Sequence, residues 1–91
     1  MKRPYLINQF FEGSTPPGET LPLQPLVELC GDKRVLIENH KGVTEYSDER
    51  IGVSVRFGTV QVTGENLRLN RITKYQLVIC GRIQSIQLLK G

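Results

Sequence analysis

The stretch Arg50-Ile51-Gly52-Val53-Ser54-Val55-Arg56-Phe57 decides the fold class. Its apolar residues, Ile51, Val53, Val55 and Phe57, alternate with Arg50, Gly52, Ser54 and Arg56. Successive side chains of a strand point to opposite faces, so period two places one apolar face on a core and one polar face in water. Downstream, Val60 and Val62 continue the alternation past a turn expected at Gly58. Leu67 and Leu69 resume it after Thr63-Gly64-Glu65-Asn66, which reads as another turn, with Arg68 pointing the other way. Leu77 and Ile79 oppose Val78 and Cys80, the pattern of a strand buried on both faces. Ile83, Ile86 and Leu88 close the series, and their spacing predicts a bulge near Ser85.

Upstream, Leu26 to Cys30 and Arg34 to Glu38 read as two strands around the turn Gly31-Asp32-Lys33. No segment after residue 25 carries a helical stripe, and all five prolines fall at or before Pro25. The expectation is an all-β domain over 25–91, a small sandwich or meander of about seven to eight short antiparallel strands. Barrels and stacked hairpins share the same period. A faint internal spacing supports equal-length units: Gly31, Gly64 and Gly81 each end an apolar pair, and Asp48 falls midway between the first two. Hairpins of equal length in a meander account for it, and so does a short solenoid.

Residues 1–24 read as an extended Pro-rich arm, because Gly13-Ser14-Thr15-Pro16-Pro17-Gly18 suits no regular element. The arm holds one apolar cluster, Tyr5, Leu6, Ile7, Phe10 and Phe11, expected by default to dock on the domain, with a partner or a membrane surface as the alternatives. With 91 residues the chain is one domain with a modest core, which a partner subunit would help to stabilise. No run approaches the ~18 apolar residues of a membrane span, and Pro4, Asn8 and Gln9 interrupt any leader-like core. A cytoplasmic protein is expected.

The net charge of +3 is unevenly distributed. Residues 1–49 hold five Lys/Arg against eight Asp/Glu, whereas residues 50–91 hold seven against Glu65 alone. Such asymmetry marks a basic surface, or two halves that neutralise each other on folding. Cys30 and Cys80 each precede a glycine in an apolar run and read as structural thiols. With His40 the only histidine, neither a zinc site nor a disulfide framework is indicated.

Catalysis needs a nucleophile, acid or base with an activating neighbour. Asp48 and Glu49 are adjacent, so on a strand they would face opposite ways. His40 lies in Glu38-Asn39-His40-Lys41-Gly42, which reads as a hairpin connection, and no nucleophile motif accompanies it. No glycine-rich phosphate loop occurs. The chain is therefore expected to be no enzyme and to need no cofactor or metal. Its candidate partner-binding residues are Glu38, Asn39, His40 and Lys41, since charged and amide groups on a loop are available for recognition. The alternative is a weak nucleic-acid-binding module with Arg56, Arg68, Arg71, Lys74 and Arg82 lining a basic face. Few aromatics accompany that face, which ranks nucleic acid second.

The run Arg34-Val35-Leu36-Ile37-Glu38-Asn39-His40-Lys41-Gly42-Val43, followed by Tyr46-Ser47-Asp48-Glu49-Arg50-Ile51, resembles the YqfC branch of the YabP/YqfC family of sporulation proteins. So do Val60-Gln61-Val62-Thr63-Gly64-Glu65-Asn66-Leu67-Arg68-Leu69 and the closing Ile79-Cys80-Gly81-Arg82-Ile83-Gln84-Ser85-Ile86. The resemblance covers about residues 22–89; the arm at 1–21 is outside it. It implies a protein of the mother cell during endospore formation, without catalytic residues or cofactor. It further implies a link to a membrane-associated sporulation partner. Because an unpaired strand edge offers backbone donors and acceptors to another chain, the leading expectation is an interaction protein that assembles with itself as a homo-oligomer or with that partner, recruited to the forespore membrane.

Overall fold

The computed structural model of the chain describes residues 24–91; the apolar cluster expected to dock from the arm lies outside them. Six strands follow in order: β1 (Leu26–Cys30), β2 (Arg34–Glu38), β3 (Gly42–Tyr46), β4 (Arg50–Val55), β5 (Gly58–Ile72) and β6 (Gln76–Lys90). They form one antiparallel sheet in the order β1-β2-β6-β5-β4-β3. The all-β expectation holds, as do the limits of β1 and β2. The strands are fewer and two are longer than expected, with 15 residues each.

The long strands arise because Thr63-Gly64-Glu65-Asn66 is a bulged part of β5 and not a turn. Pairing with β6 continues through it, from Thr63↔Ser85 to Gly64↔Ile83 and from Glu65↔Arg82 to Arg68↔Cys80. A third shift falls between Leu69 and Arg71. Each bulge adds a residue to one strand, bends it and exchanges its faces. On β5 the buried positions therefore change from Val60, Val62 and Gly64 to Leu67. On β6 the extra residue is Gln84, which is the bulge expected near Ser85, and the apolar series passes from Leu77, Ile79 and Ile83 to Ile86.

These bends divide the sheet into two four-stranded halves. The first contains β1, β2, residues 76–80 of β6 and residues 66–72 of β5. The second contains β3, β4, residues 58–65 of β5 and residues 82–90 of β6. Val35, Ile37, Leu77 and Ile79 of the first half and Ile51, Val53, Val60 and Val62 of the second are all fully buried. With no helix among the described residues to cover either face, such burial requires the sheet to fold over and pack its halves together. The core is the space between them.

The two halves are built alike. In the first, Gly81 N–H donates to the Lys33 carbonyl (3.1 Å) and Ile83 N–H to the Asp32 carbonyl (2.7 Å). In the second, Gly64 N–H donates to the Glu49 carbonyl (3.0 Å) and Leu67 N–H to the Asp48 carbonyl (2.8 Å). Each short hairpin thus attaches its turn to a bulge of the β5–β6 ribbon. The spacing of Gly31, Asp48, Gly64 and Gly81 marks these two turns and two bulges.

At the bend the ribbon strands come close together. A Cβ on Gly64 would overlap the Arg82 carbonyl oxygen, and one on Gly81, whose φ is +140°, would fall 2.6 Å from the Asn66 carbonyl oxygen. Only glycine fits at either place.

Candidate functional site

The residues 39–41 do not close a hairpin. β2 pairs with β1 and β6, β3 pairs with β4, and the connection passes from one half of the sheet to the other. Asn39 N–H donates to the Tyr75 carbonyl in the β5–β6 turn (2.6 Å), while Lys41 N–H donates to the Ser54 carbonyl on β4 (2.7 Å). Asn39 adopts φ +63°, a conformation its short amide tolerates, and its Nδ2 donates to the Gln24 carbonyl (2.8 Å). Glu38 precedes the connection and accepts from Gln76 Nε2 (3.2 Å).

His40 holds this connection. Its Nδ1 accepts from Gly42 N–H (2.9 Å), which leaves the ring proton on Nε2, donating to the Thr73 carbonyl (2.9 Å). Both nitrogens are thus used within the chain. His40 is a fastener, and the cation of the stretch is Lys41, which is exposed and in no ion pair among the described residues.

Three connections meet at this end of the molecule, and each contributes a cation: Lys41 from β2–β3, Arg56 from β4–β5 and Lys74 from β5–β6. With Asn39, His40 and Tyr75 they line a concavity of about 440 Å³. No carboxylate lines it, and none of the three is in an ion pair among the described residues. Lys74 Nζ lies 5.4 Å from the centre of the Tyr75 ring, within cation–π range. Lys90 pairs with Gly58 and lies beside the same end.

The basic face expected from sequence is therefore divided. Arg56 and Lys74 join Lys41, whereas Arg68 and Arg71 lie on the outer surface of the first half and Arg82 beside them at the bend. There the register places Cys30, Arg34, Cys80 and Arg68 in one row across β1, β2, β6 and β5. Arg71 follows in the next row, with Leu36 and Val78. Arg82 meets Glu65 (3.4 Å) in an exposed ion pair. A concavity of about 730 Å³ is lined by Lys33, Arg34, Arg68 and Arg82 together with Asp32 and both cysteines. Lys33 and Arg34 complete this surface and were not singled out from sequence.

The thiols are placed differently from the buried sites expected of them. Cys30 is exposed on an edge strand, Cys80 is half-buried, and both face outward beside Arg34, whose Nη2 lies 3.7 Å from Cys30 Sγ. Register separates them by the whole width of β2, too far for a mutual disulfide.

The two outer strands also differ. β3 is interrupted by a register shift between Val43 and Glu45, whereas β1 pairs regularly with β2 through all five residues and, among the described residues, has no partner on its outer edge. Leu26 and Leu29 on β1 are about half exposed, at 47% and 52%.

A sequence model of the YabP family, covering this sheet from its first strand to its last, matches residues 24–91. The chain belongs to the YabP family. No curated protein and no solved structure matches it. Membership agrees with the resemblance seen in the sequence and is consistent with an association with sporulation. The YabP match spans every strand of the described sheet, so the connection at 39–41, the arginine surface and the outer edge of β1 all lie within it. No helix among the described residues is long and apolar enough to cross a membrane.

Proposed function

We propose that this YabP-family chain is a non-enzymatic sporulation protein of the mother cell, an assembly module that joins a second copy or a membrane-associated partner at the forespore membrane. The observation that carries this reading is the outer edge of β1. Among the described residues nothing pairs with its backbone donors and acceptors, no bulge, proline or lysine falls within Leu26–Cys30 to blunt it, and it lies next to the exposed Leu26 and Leu29. Such an edge accepts a strand from another chain. The small core of a chain this size gives a further reason to assemble. The non-enzymatic part is supported by His40, whose ring nitrogens are both engaged by backbone groups, so the imidazole has no free nitrogen to act as a base. In this reading Glu38, Asn39 and His40 set the connection, and Lys41 is the residue of that group that meets a partner.

Leu29→Lys tests the edge, because a charge there opposes strand addition while an exposed position leaves folding intact. Sedimentation velocity should give an oligomer for the parent chain and a smaller species for the variant, with the same melting temperature. Capture from sporulating cells should lose its membrane-associated partner in parallel. A parent chain that is strictly monomeric and retains no partner would sink the reading.

The second reading, weak nucleic-acid binding, is favoured by the row in which Arg34 and Arg68 flank Cys80, roughly two strand spacings (about 10 Å) apart. Its signature is affinity for an oligonucleotide that falls steeply with salt and is lost in Arg34→Ala/Arg68→Ala.

A further inference from the structure

The end of β5 and the β5–β6 connection, Ile72-Thr73-Lys74-Tyr75, combine features that neither the core nor the β1 edge uses. Ile72 and Tyr75 are large, apolar and more than half exposed, at 52% and 57%. Lys74 lies between them in sequence, and Lys41 and Arg56 line the same concavity, with no carboxylate among the described residues that line it. From these features we infer that this end of the molecule docks directly on an anionic lipid surface, with the cations over the headgroup phosphates and Ile72 and Tyr75 entering the interface.

Three aspects of the geometry favour a lipid surface over a nucleic acid. The cations come from three different connections at one end, which suits a broad planar surface better than a single polyanion strand. Ile72 offers no flat face for base stacking, whereas an aliphatic side chain beside a tyrosine and a lysine matches the boundary between headgroups and acyl chains. The connection is also already ordered. Thr73 N–H donates to the Gln76 carbonyl (2.7 Å), and Gln76 N–H donates to Thr73 Oγ1 (3.0 Å). His40 and Asn39 hold the carbonyls of Thr73 and Tyr75 from the neighbouring connection. Docking then entails little further loss of chain entropy.

The attraction is electrostatic at long range and is screened over a Debye length of about 10 Å at 0.1 M salt. Near such a surface each cation strengthens binding about fivefold. The full chain should therefore co-sediment with vesicles of phosphatidylcholine containing phosphatidylglycerol, and not with phosphatidylcholine alone. Lys41→Ala/Arg56→Ala/Lys74→Ala should weaken that binding roughly 100-fold. Lys41→Arg/Lys74→Arg should retain it. Ile72→Ser/Tyr75→Ser should keep the low-salt binding and lose the fraction that persists at high salt.

All these positions except Lys41 and Arg56 lie on one exposed connection, and those two are themselves exposed, so melting temperatures should stay at the parent value. Equal binding to neutral vesicles, or unchanged binding of the triple variant, would overturn the inference. So would displacement of the chain from vesicles by inorganic phosphate at millimolar concentration, which would mark a site for a free anion. Tighter binding of an oligonucleotide than of vesicles, lost with the same cations and indifferent to Ile72 and Tyr75, would transfer this end to nucleic acid. The result is separable from assembly through β1, because Leu29→Lys should bind vesicles like the parent chain.

Discussion

The two halves of the sheet share a scaffold and differ in everything they present to the outside. Each consists of a short hairpin joined to half of the β5–β6 ribbon, with its turn carbonyls accepting from a bulge: Asp32 and Lys33 in one, Asp48 and Glu49 in the other. The inward residues are interchangeable in kind, Val35, Ile37 and Ile79 against Ile51, Val53 and Val62. Outward, the first half carries Arg34, Arg68, Arg71 and two thiols, whereas the second carries Ser54, Thr59, Gln61, Thr63, Ser85 and Gln87. The first has a regular edge in β1, the second a bulged edge in β3. Packing is thus conserved between the halves by the geometry of folding one ribbon over itself. Recognition chemistry is free to diverge, and it has accumulated on one side and at one end.

If the halves are true structural counterparts, the bend should fail equally from either side. Gly64→Ala and Gly81→Ala each drive a methyl into the backbone of the opposite ribbon strand, where no flexible side chain can yield. Each should cost on the order of 3–5 kcal/mol, enough to unfold most of a domain this small. Denaturant titration of both variants measures this. A loss confined to Gly64→Ala or to Gly81→Ala would break the equivalence and make one bend dominant.

A smaller loss should follow from separating the halves at their connection. His40→Ala removes one hydrogen bond that ties the connection to the Thr73 carbonyl of the β5–β6 turn and one within the connection, from Gly42 N–H, and should cost about 1–2 kcal/mol. Because the contacts lie at the end of the molecule and not in the core, the cooperativity of unfolding should be unchanged. A His40→Ala variant as stable as the parent would return this residue to recognition alone.

Much of the scaffold was legible in the sequence because its determinants are local. Alternation at residues 50–57, the hairpin around Gly31-Asp32-Lys33 and the bulge near Ser85 all follow from neighbours within a few residues. The regular spacing from Gly31 to Gly81 was visible too, though not that two of its four marks are turns and two are bulges. A turn and a bulge produce the same change of apolar phase at Thr63-Gly64-Glu65-Asn66. What separates them is continued pairing with Arg82 and Cys80, which local pattern does not contain. For the same reason residues 39–41 read as a hairpin: the true neighbour of β2 is β6, about forty residues away. The sites were less legible still. Lys41, Arg56 and Lys74 are far apart in sequence and meet only through topology. Lys33 and Arg34 do not stand out in sequence because their segment reads first as a turn and an apolar strand. Their relation to Arg68 exists only in the register.

The smallest expected effect concerns the ion pairs, and it bears most directly on what the halves have in common. Glu45–Arg50 (3.7 Å) belongs to the second half, and Glu65–Arg82 (3.4 Å) joins the ribbon strands at the bend. The side chains involved are about half exposed or more, between 47% and 71%, so solvent screens both pairs. Removing either by Glu45→Gln or Glu65→Gln should change stability by no more than about 0.5 kcal/mol, and still less in high salt. The two should nevertheless part in binding. Glu65→Gln frees Arg82 beside Arg34 and Arg68 and raises the positive potential of the first half, so affinity for any polyanion should increase there, with a steeper dependence on salt. Glu45→Gln frees Arg50 among the hydroxyl and amide groups of the second half and should leave that affinity nearly unchanged. Titrating both variants against one oligonucleotide at two salt concentrations distinguishes them. Equal gains would mean that the two outer faces respond only to net charge, and that their different side chains do not yet amount to different surfaces.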